Sequence, residues 1–182
     1  MEERGTEMPT PLSCLWCGSV EARVTIGRPV PEVFHFYRDL ENLPRFLGDV
    51  MAVRRTDPTT YRWTIEGPLG IRLTSAITVT EERTNELIRY ESAGPPGLRA
   101  RWTVRFADAP TGTDVQQLLA MPLGRLGRTA LTLIGKPPAA EVEANLRRLK
   151  QLLETGKVTE TEHAVAGKFD LSASPSRHDR PR

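Results

Sequence analysis

Cysteine, histidine and long apolar runs are all scarce in this 182-residue sequence. The two cysteines form one C-x-x-C pair, Cys14 and Cys17. That spacing suits a redox dithiol or half of a zinc site, because either chemistry needs two thiolates within reach of one atom. A structural zinc needs four ligands, and His35, His163 and His178 are scattered without pairing, so no metal site is expected. The pair is read as incidental thiols in a flexible leader, residues 1–18. No stretch approaches the roughly eighteen apolar residues of a membrane span. The N-terminus opens acidic ("MEERGTE") and its one apolar cluster, Leu12 to Cys17, is too short for a secretory signal. A cytoplasmic location is the default expectation. Charge of one sign is missing as well: 25 basic residues face 23 acidic ones, so no overall field demands nucleic acid or a membrane surface as partner. Also absent are a paired-carboxylate motif, a nucleophile elbow and a Gly-rich phosphate loop. No catalytic residue is therefore named, and no cofactor is expected.

Alternation with period two fills residues 19–121 and marks half-buried antiparallel strands. In "SVEARVTI", Val20, Ala22, Val24 and Ile26 share one side while Glu21, Arg23 and Thr25 share the other. Two short aromatic helices follow, at 30–38 and 40–47, with Pro29 and Pro31 in the first turn and Pro44 interrupting the second. Strands resume at 50–57, 60–66, 71–82, 86–92, 98–107 and 113–121, joined by "DPTT", "GPLG", "RTNE", "AGPPG" and "APTGT". A last helix, 139–154, carries Val142, Leu146, Leu149 and Leu153 as an apolar stripe, with Gly156 just past its end. Beyond Lys157 large apolar residues thin out, and 158–182 reads as a disordered tail. The plan is α+β: a curved seven-stranded antiparallel sheet wrapping a C-terminal helix.

That order, together with "RPVPEVFHFYRDLENLPRFL", "YRWTIEGPLG" and "LRRLKQLLETG", resembles the polyketide cyclase/dehydrase branch of the START-like (SRPBCC) superfamily, which also holds coenzyme Q-binding START proteins. The resemblance covers residues 19–157. It implies a helix-grip fold whose cavity, between sheet and C-terminal helix, takes a polyketide, quinone or lipid. It also implies that the two short helices frame the entrance to that cavity.

Strand parity places an almost wholly apolar surface inward, relieved by Ser75, Gln117 and tyrosine hydroxyls. Greasy walls with a few orienting polar groups are what a ligand pocket requires. The expected lining is Phe46, Trp63, Ser75, Ile77, Tyr90, Trp102, Val104, Gln117, Leu119, Met121, Leu146 and Leu149. Arg62, Arg72, Arg89, Arg99, Arg101 and Arg105 share the outward parity, with Glu66, Glu82 and Glu91 near them. A one-sided sheet keeps its outer face charged for solubility; the same arginines offer an alternative docking surface for acidic proteins or anionic lipid, without aromatic interleaving for nucleic acid. The segment "MPLGRLGRTALTLIGKPP", 121–138, is expected to act as an apolar gate or packed extension, with peripheral membrane contact through Arg125 and Arg128. Oligomeric state is left open. An enzyme using the same cavity for cyclisation or dehydration is the alternative to simple binding.

Overall fold

The computed structural model describes residues 19–66, 71–93, 99–120 and 138–169. Seven strands follow one another: β1 (Ser19–Ile26), β2 (Val50–Arg55), β3 (Thr60–Glu66), β4 (Arg72–Arg83), β5 (Leu87–Ser92), β6 (Arg101–Ala109) and β7 (Gly112–Ala120). They form one antiparallel sheet in the order β1-β7-β6-β5-β4-β3-β2, so β1 closes against the last strand while consecutive hairpins supply the remaining pairs. Helix α1 (Val30–Arg38) and a 3-10 helix (Leu40–Arg45) lie between β1 and β2, and α2 (Pro138–Thr155) ends the regular structure. The expected α+β, helix-grip architecture is what is found.

Inward parity holds across the sheet. Trp63 stands opposite Ser75, Tyr90 opposite Trp102, Trp102 opposite Leu119, and Gln117 opposite both Val104 and Ala22. Period-two side-chain alternation makes this register the one that buries the apolar set. The second short helix is tighter than expected, running Leu40–Arg45 with 3-10 geometry. Pro44 lies inside it and has no amide hydrogen to donate, while the Asp39 carboxylate accepts from the Glu41 amide and caps its start.

One strand turns over. Between Val79 and Glu81 the β4–β5 register shifts, which sets Glu82 opposite Ile88. A bulge of this kind rotates the following side chains to the other face. Glu82 therefore does not join the outer arginine face but leans over the rim of the concave side, 2.6 Å from Arg38 of α1.

The larger departure from expectation concerns residues 158–169, which pack as an ordered strap across α2 and the start of β2. Val158 is buried, the Val165 amide donates to the Gly48 carbonyl, and the Lys168 ammonium donates to the carbonyls of Leu47 and Val50. Buried backbone acceptors recruit these donors, and Val158 and Phe169 add apolar anchors at the two ends of the strap. The leader 1–18 and residues 170–182 lie outside the described residues.

Candidate functional site: the open end of the concave face

The two ends of the curved sheet differ. At the α1 end, Val33, Phe34, Tyr37, Leu40 and Leu43 are sealed from solvent. Phe34 meets Phe106 edge-on at 5.4 Å between ring centroids, and Tyr37 lies between Phe46 (5.6 Å) and Phe106 (5.9 Å). The hydroxyls of Tyr37 and Tyr90 are 3.1 Å apart. Burial raises the pKa of both phenols, so the pair stays neutral and hydrogen-bonded. The helix pair thus plugs this end rather than framing an entrance there: its aromatic residues fill the space instead of lining it.

At the other end, exposure rises along the inward faces of four strands at once. On β4 and the residue before it, Ile77 is sealed, Ser75 is half-buried, Leu73 is 44% exposed and Ile71 is 56% exposed. Ile65 on β3, Trp102 on β6 and Leu119 on β7 are likewise half-buried, although their same-face neighbours Tyr61, Val104 and Gln117 are buried. In an antiparallel sheet these positions converge at one end, and together they expose a contiguous apolar rim, which marks a binding surface more often than a packing fault.

Behind that rim stands an aromatic floor. The Trp102 ring stacks on Tyr90 at 5.2 Å and 11°, and meets Trp63 edge-on at 5.1 Å and 85°. Strands β3 and β6 are not neighbours in the sheet, so the Trp63–Trp102 contact spans the bend. Both geometries are the favoured ones for aromatic pairs. The Trp63 indole N–H donates to Ser75 Oγ at 2.8 Å, which fixes the ring and leaves the serine proton free to donate elsewhere.

The expected lining residues divide between these two zones. Ser75, Trp102 and Leu119 are half-buried at the open end, with Trp63 and Tyr90 directly behind. Phe46, Ile77, Val104, Leu146 and Leu149 are enclosed in the core, and Gln117 lies one row below the rim. Met121 and the 121–137 segment fall outside the described residues. Sequence parity missed Ser92, which is buried opposite Ile77 and whose hydroxyl oxygen accepts from the Ala100 amide at 2.9 Å.

Other features are less suited to a ligand. Clefts of about 400, 330 and 190 Å3 among the described residues lie between β1 and α2, on the convex side near Arg105, and beside α1; of the expected lining, Leu146 borders the first. His35 is exposed, its Nδ1 2.6 Å from the Pro31 carbonyl, while Asp39 caps the 3-10 helix, so the two form no acid–base unit. On the outer face Arg89 pairs with Glu81, and Arg101 with Glu91 at 2.6 Å. Among the described residues no three His, Cys, Asp or Glu side chains gather as metal ligands, and no helix is long and apolar enough to cross a membrane.

The wall opposite the sheet is fixed from α2. Arg148 is fully buried, donating through Nε to the Phe46 carbonyl and through Nη1 to the Glu162 carbonyl, each at 2.7 Å, and through Nη2 to Asn145 Oδ1. Asn145 Oδ1 also accepts from the Gly48 amide at 3.0 Å. A Cβ at Gly48 would sit 2.5 Å from the His163 carbonyl oxygen, so only glycine admits the strap at this point. Burial pulls the Lys168 pKa down to about 8, opposed by Asp49 and reinforced by Arg148. The docked strap thus binds fewer protons than the free one between about pH 8 and the ordinary lysine value of 10.5, and docking strengthens as pH rises through that window. Amide exchange at Val165, corrected for intrinsic rate, is expected to slow from pH 7 to pH 9; faster exchange at pH 9 would contradict this account of Lys168.

A bent antiparallel sheet closed at one end, open and apolar at the other, and backed by a C-terminal helix defines a helix-grip protein of the START-like type. Residues 18–154 match the family described as polyketide cyclase / dehydrase and lipid transport, and the chain belongs to that family. Among solved structures it is similar to DR_A0006 from Deinococcus radiodurans, at 26% identity and TM-score 0.60 over 76% of this chain and 98% of that one. It is similar to TTHA0849 from Thermus thermophilus at 25% identity and TM-score 0.55, covering 73% and 94%. The di-domain ARO/CYC StfQ from the steffimycin biosynthetic pathway shares the fold at 14% identity and TM-score 0.58, over 75% of this chain and 50% of that one. No curated protein matches the sequence. The family match ends at Glu154, before the strap.

Proposed function

We propose that the open end of the concave face binds a bulky apolar small molecule, of the polyketide, quinone or lipid kind, between the sheet and α2. The observation that carries this reading is the rise in exposure of inward apolar side chains, Ile65, Leu73, Trp102 and Leu119, above the Trp63–Trp102–Tyr90 floor. Leaving such a rim in water forgoes about 25 cal/mol for each Å2 that a ligand would cover. Family membership supports the same chemistry. In this reading Ser75, Trp102 and Leu119 touch the guest from the rim and Gln117 meets its buried edge, Trp63 and Tyr90 form the next layer, and Phe46, Ile77, Val104, Leu146 and Leu149 hold that layer in place. Native mass spectrometry of freshly purified full-length protein tests the proposal: a retained lipophile, or mass adducts with added apolar aromatics, is expected, and uniformly ligand-free protein under both conditions would refute it. Incubation with poly-β-ketone mimics separates binding from catalysis, since only an enzyme returns cyclised or dehydrated product.

A further inference from the structure

We propose that the ligand is a ring compound carrying an O–H or N–H donor, and that Gln117 Oε1 receives it. This rests on the reading of the concave face as a ligand site and narrows the ligand class. Gln117 lies in the middle of β7, 1% exposed, opposite Ala22 and Val104, and so faces the interior among apolar neighbours. Among the described residues its Oε1 has no hydrogen-bond partner. Buried polar atoms are almost always paired; the described residues leave one other without a partner, Asn85 Oδ1 in the β4–β5 turn, so the orphan on the concave face is the one a ligand can reach.

Its position supports that role. Gln117 is two residues below Leu119 on the same face, in the row beneath the Leu119–Trp102 pair that forms the rim. A ring resting on Trp102 presents its edge to that row. Ser75, across the floor, has its oxygen engaged by Trp63 and keeps a proton to give. One orphan acceptor and one spare donor flanking an aromatic surface suit a phenol or enol beside a carbonyl. A quinone or an ester lipid offers acceptors alone and would leave Gln117 Oε1 unpaired.

The test compares 1-naphthol with 1-methoxynaphthalene, equal in ring system and different in the donor, by titration against the full-length protein. Wild type is expected to prefer 1-naphthol about five- to tenfold, the range one net hydrogen bond supplies. Gln117→Leu is expected to bring the two probes within about twofold without lowering thermal stability, and Gln117→Met, closer in length, checks the result if the leucine variant packs poorly. Equal binding by wild type would overturn the assignment and leave the ligand site standing. A preference that survives both substitutions would overturn Gln117 as the acceptor. Binding of neither probe would count against the ligand site itself.

Discussion

Replacing Arg148 with alanine is expected to lower stability by about 3–5 kcal/mol and to release residues 158–169 together. The side chain is fully buried and bridges three elements: the Phe46 carbonyl at the end of the 3-10 helix, Asn145 within α2, and the Glu162 carbonyl of the strap. Truncation leaves the buried Phe46 carbonyl and the part-buried Glu162 carbonyl without this donor, at about 1–3 kcal/mol each before relaxation, while Asn145 Oδ1 keeps the Gly48 amide, and it opens a cavity the size of an arginine stem. Water entering the gap recovers part of this, which keeps the total near the cost of breaking a buried ionic group out of its network. Arg147→Ala is the control: that side chain is 46% exposed and pairs with Glu160 at 3.1 Å and Glu162 at 3.7 Å, contacts worth at most about 1 kcal/mol. Chemical denaturation gives the stability difference, and amide exchange at Val165 reports the strap. An Arg148→Ala protein with an unchanged midpoint and a protected Val165 amide would remove the strap from the cooperative fold.

Trp102→Ala is expected to reduce binding of apolar aromatic probes at least tenfold and to destabilise the protein by about 3 kcal/mol. Trp102 is the one ring that touches both partners of the floor, stacking on Tyr90 and taking Trp63 edge-on. Its removal withdraws two aromatic pairs, each worth about 0.5–1.5 kcal/mol beyond area burial, and part of a large apolar surface that is itself half-exposed. Trp63 loses the neighbour that meets it across the bend, while its bond to Ser75 remains. Trp102→Phe retains a stackable ring and is expected to recover most of the stability and a good part of the binding. Unchanged probe affinity in Trp102→Ala, measured on folded protein, would place the ligand elsewhere.

Strand parity was legible because side-chain alternation is fixed by backbone geometry: reading Val20, Ala22, Val24 and Ile26 as one face leads directly to their partners Leu119, Gln117, Val115 and Thr113. What parity cannot carry is a local insertion. The bulge between Val79 and Glu81 moved Glu82 from the charged face to the rim by Arg38, and no composition signal marks it. Arg148 was hidden for a similar reason, since an arginine between Leu146 and Leu149 reads as solvent-facing unless its backbone partners 102 and 14 residues away are known. The strap went unread because only Val158 and Phe169 anchor it to the core and the rest is held by polar groups, Lys168, Val165 N–H and the carbonyls of Leu47, Gly48 and Val50, while sequence reading weighs apolar content. Of the proposed site, the inward parity of Trp63, Ser75, Trp102 and Gln117 was visible; the direction of the opening was not, because the same inward parity describes a sealed end and an open one.

The most direct measurement is the indole N–H spectrum during titration with an apolar aromatic probe. In a Trp16→Phe background two indole resonances remain, from Trp63 and Trp102. If the concave face receives the guest, both shift in a saturable way with a common dissociation constant, Trp102 most, while the amide of Val33 in the plugged end stays fixed. Saturable binding that leaves both indoles unmoved would contradict a ligand site on this floor.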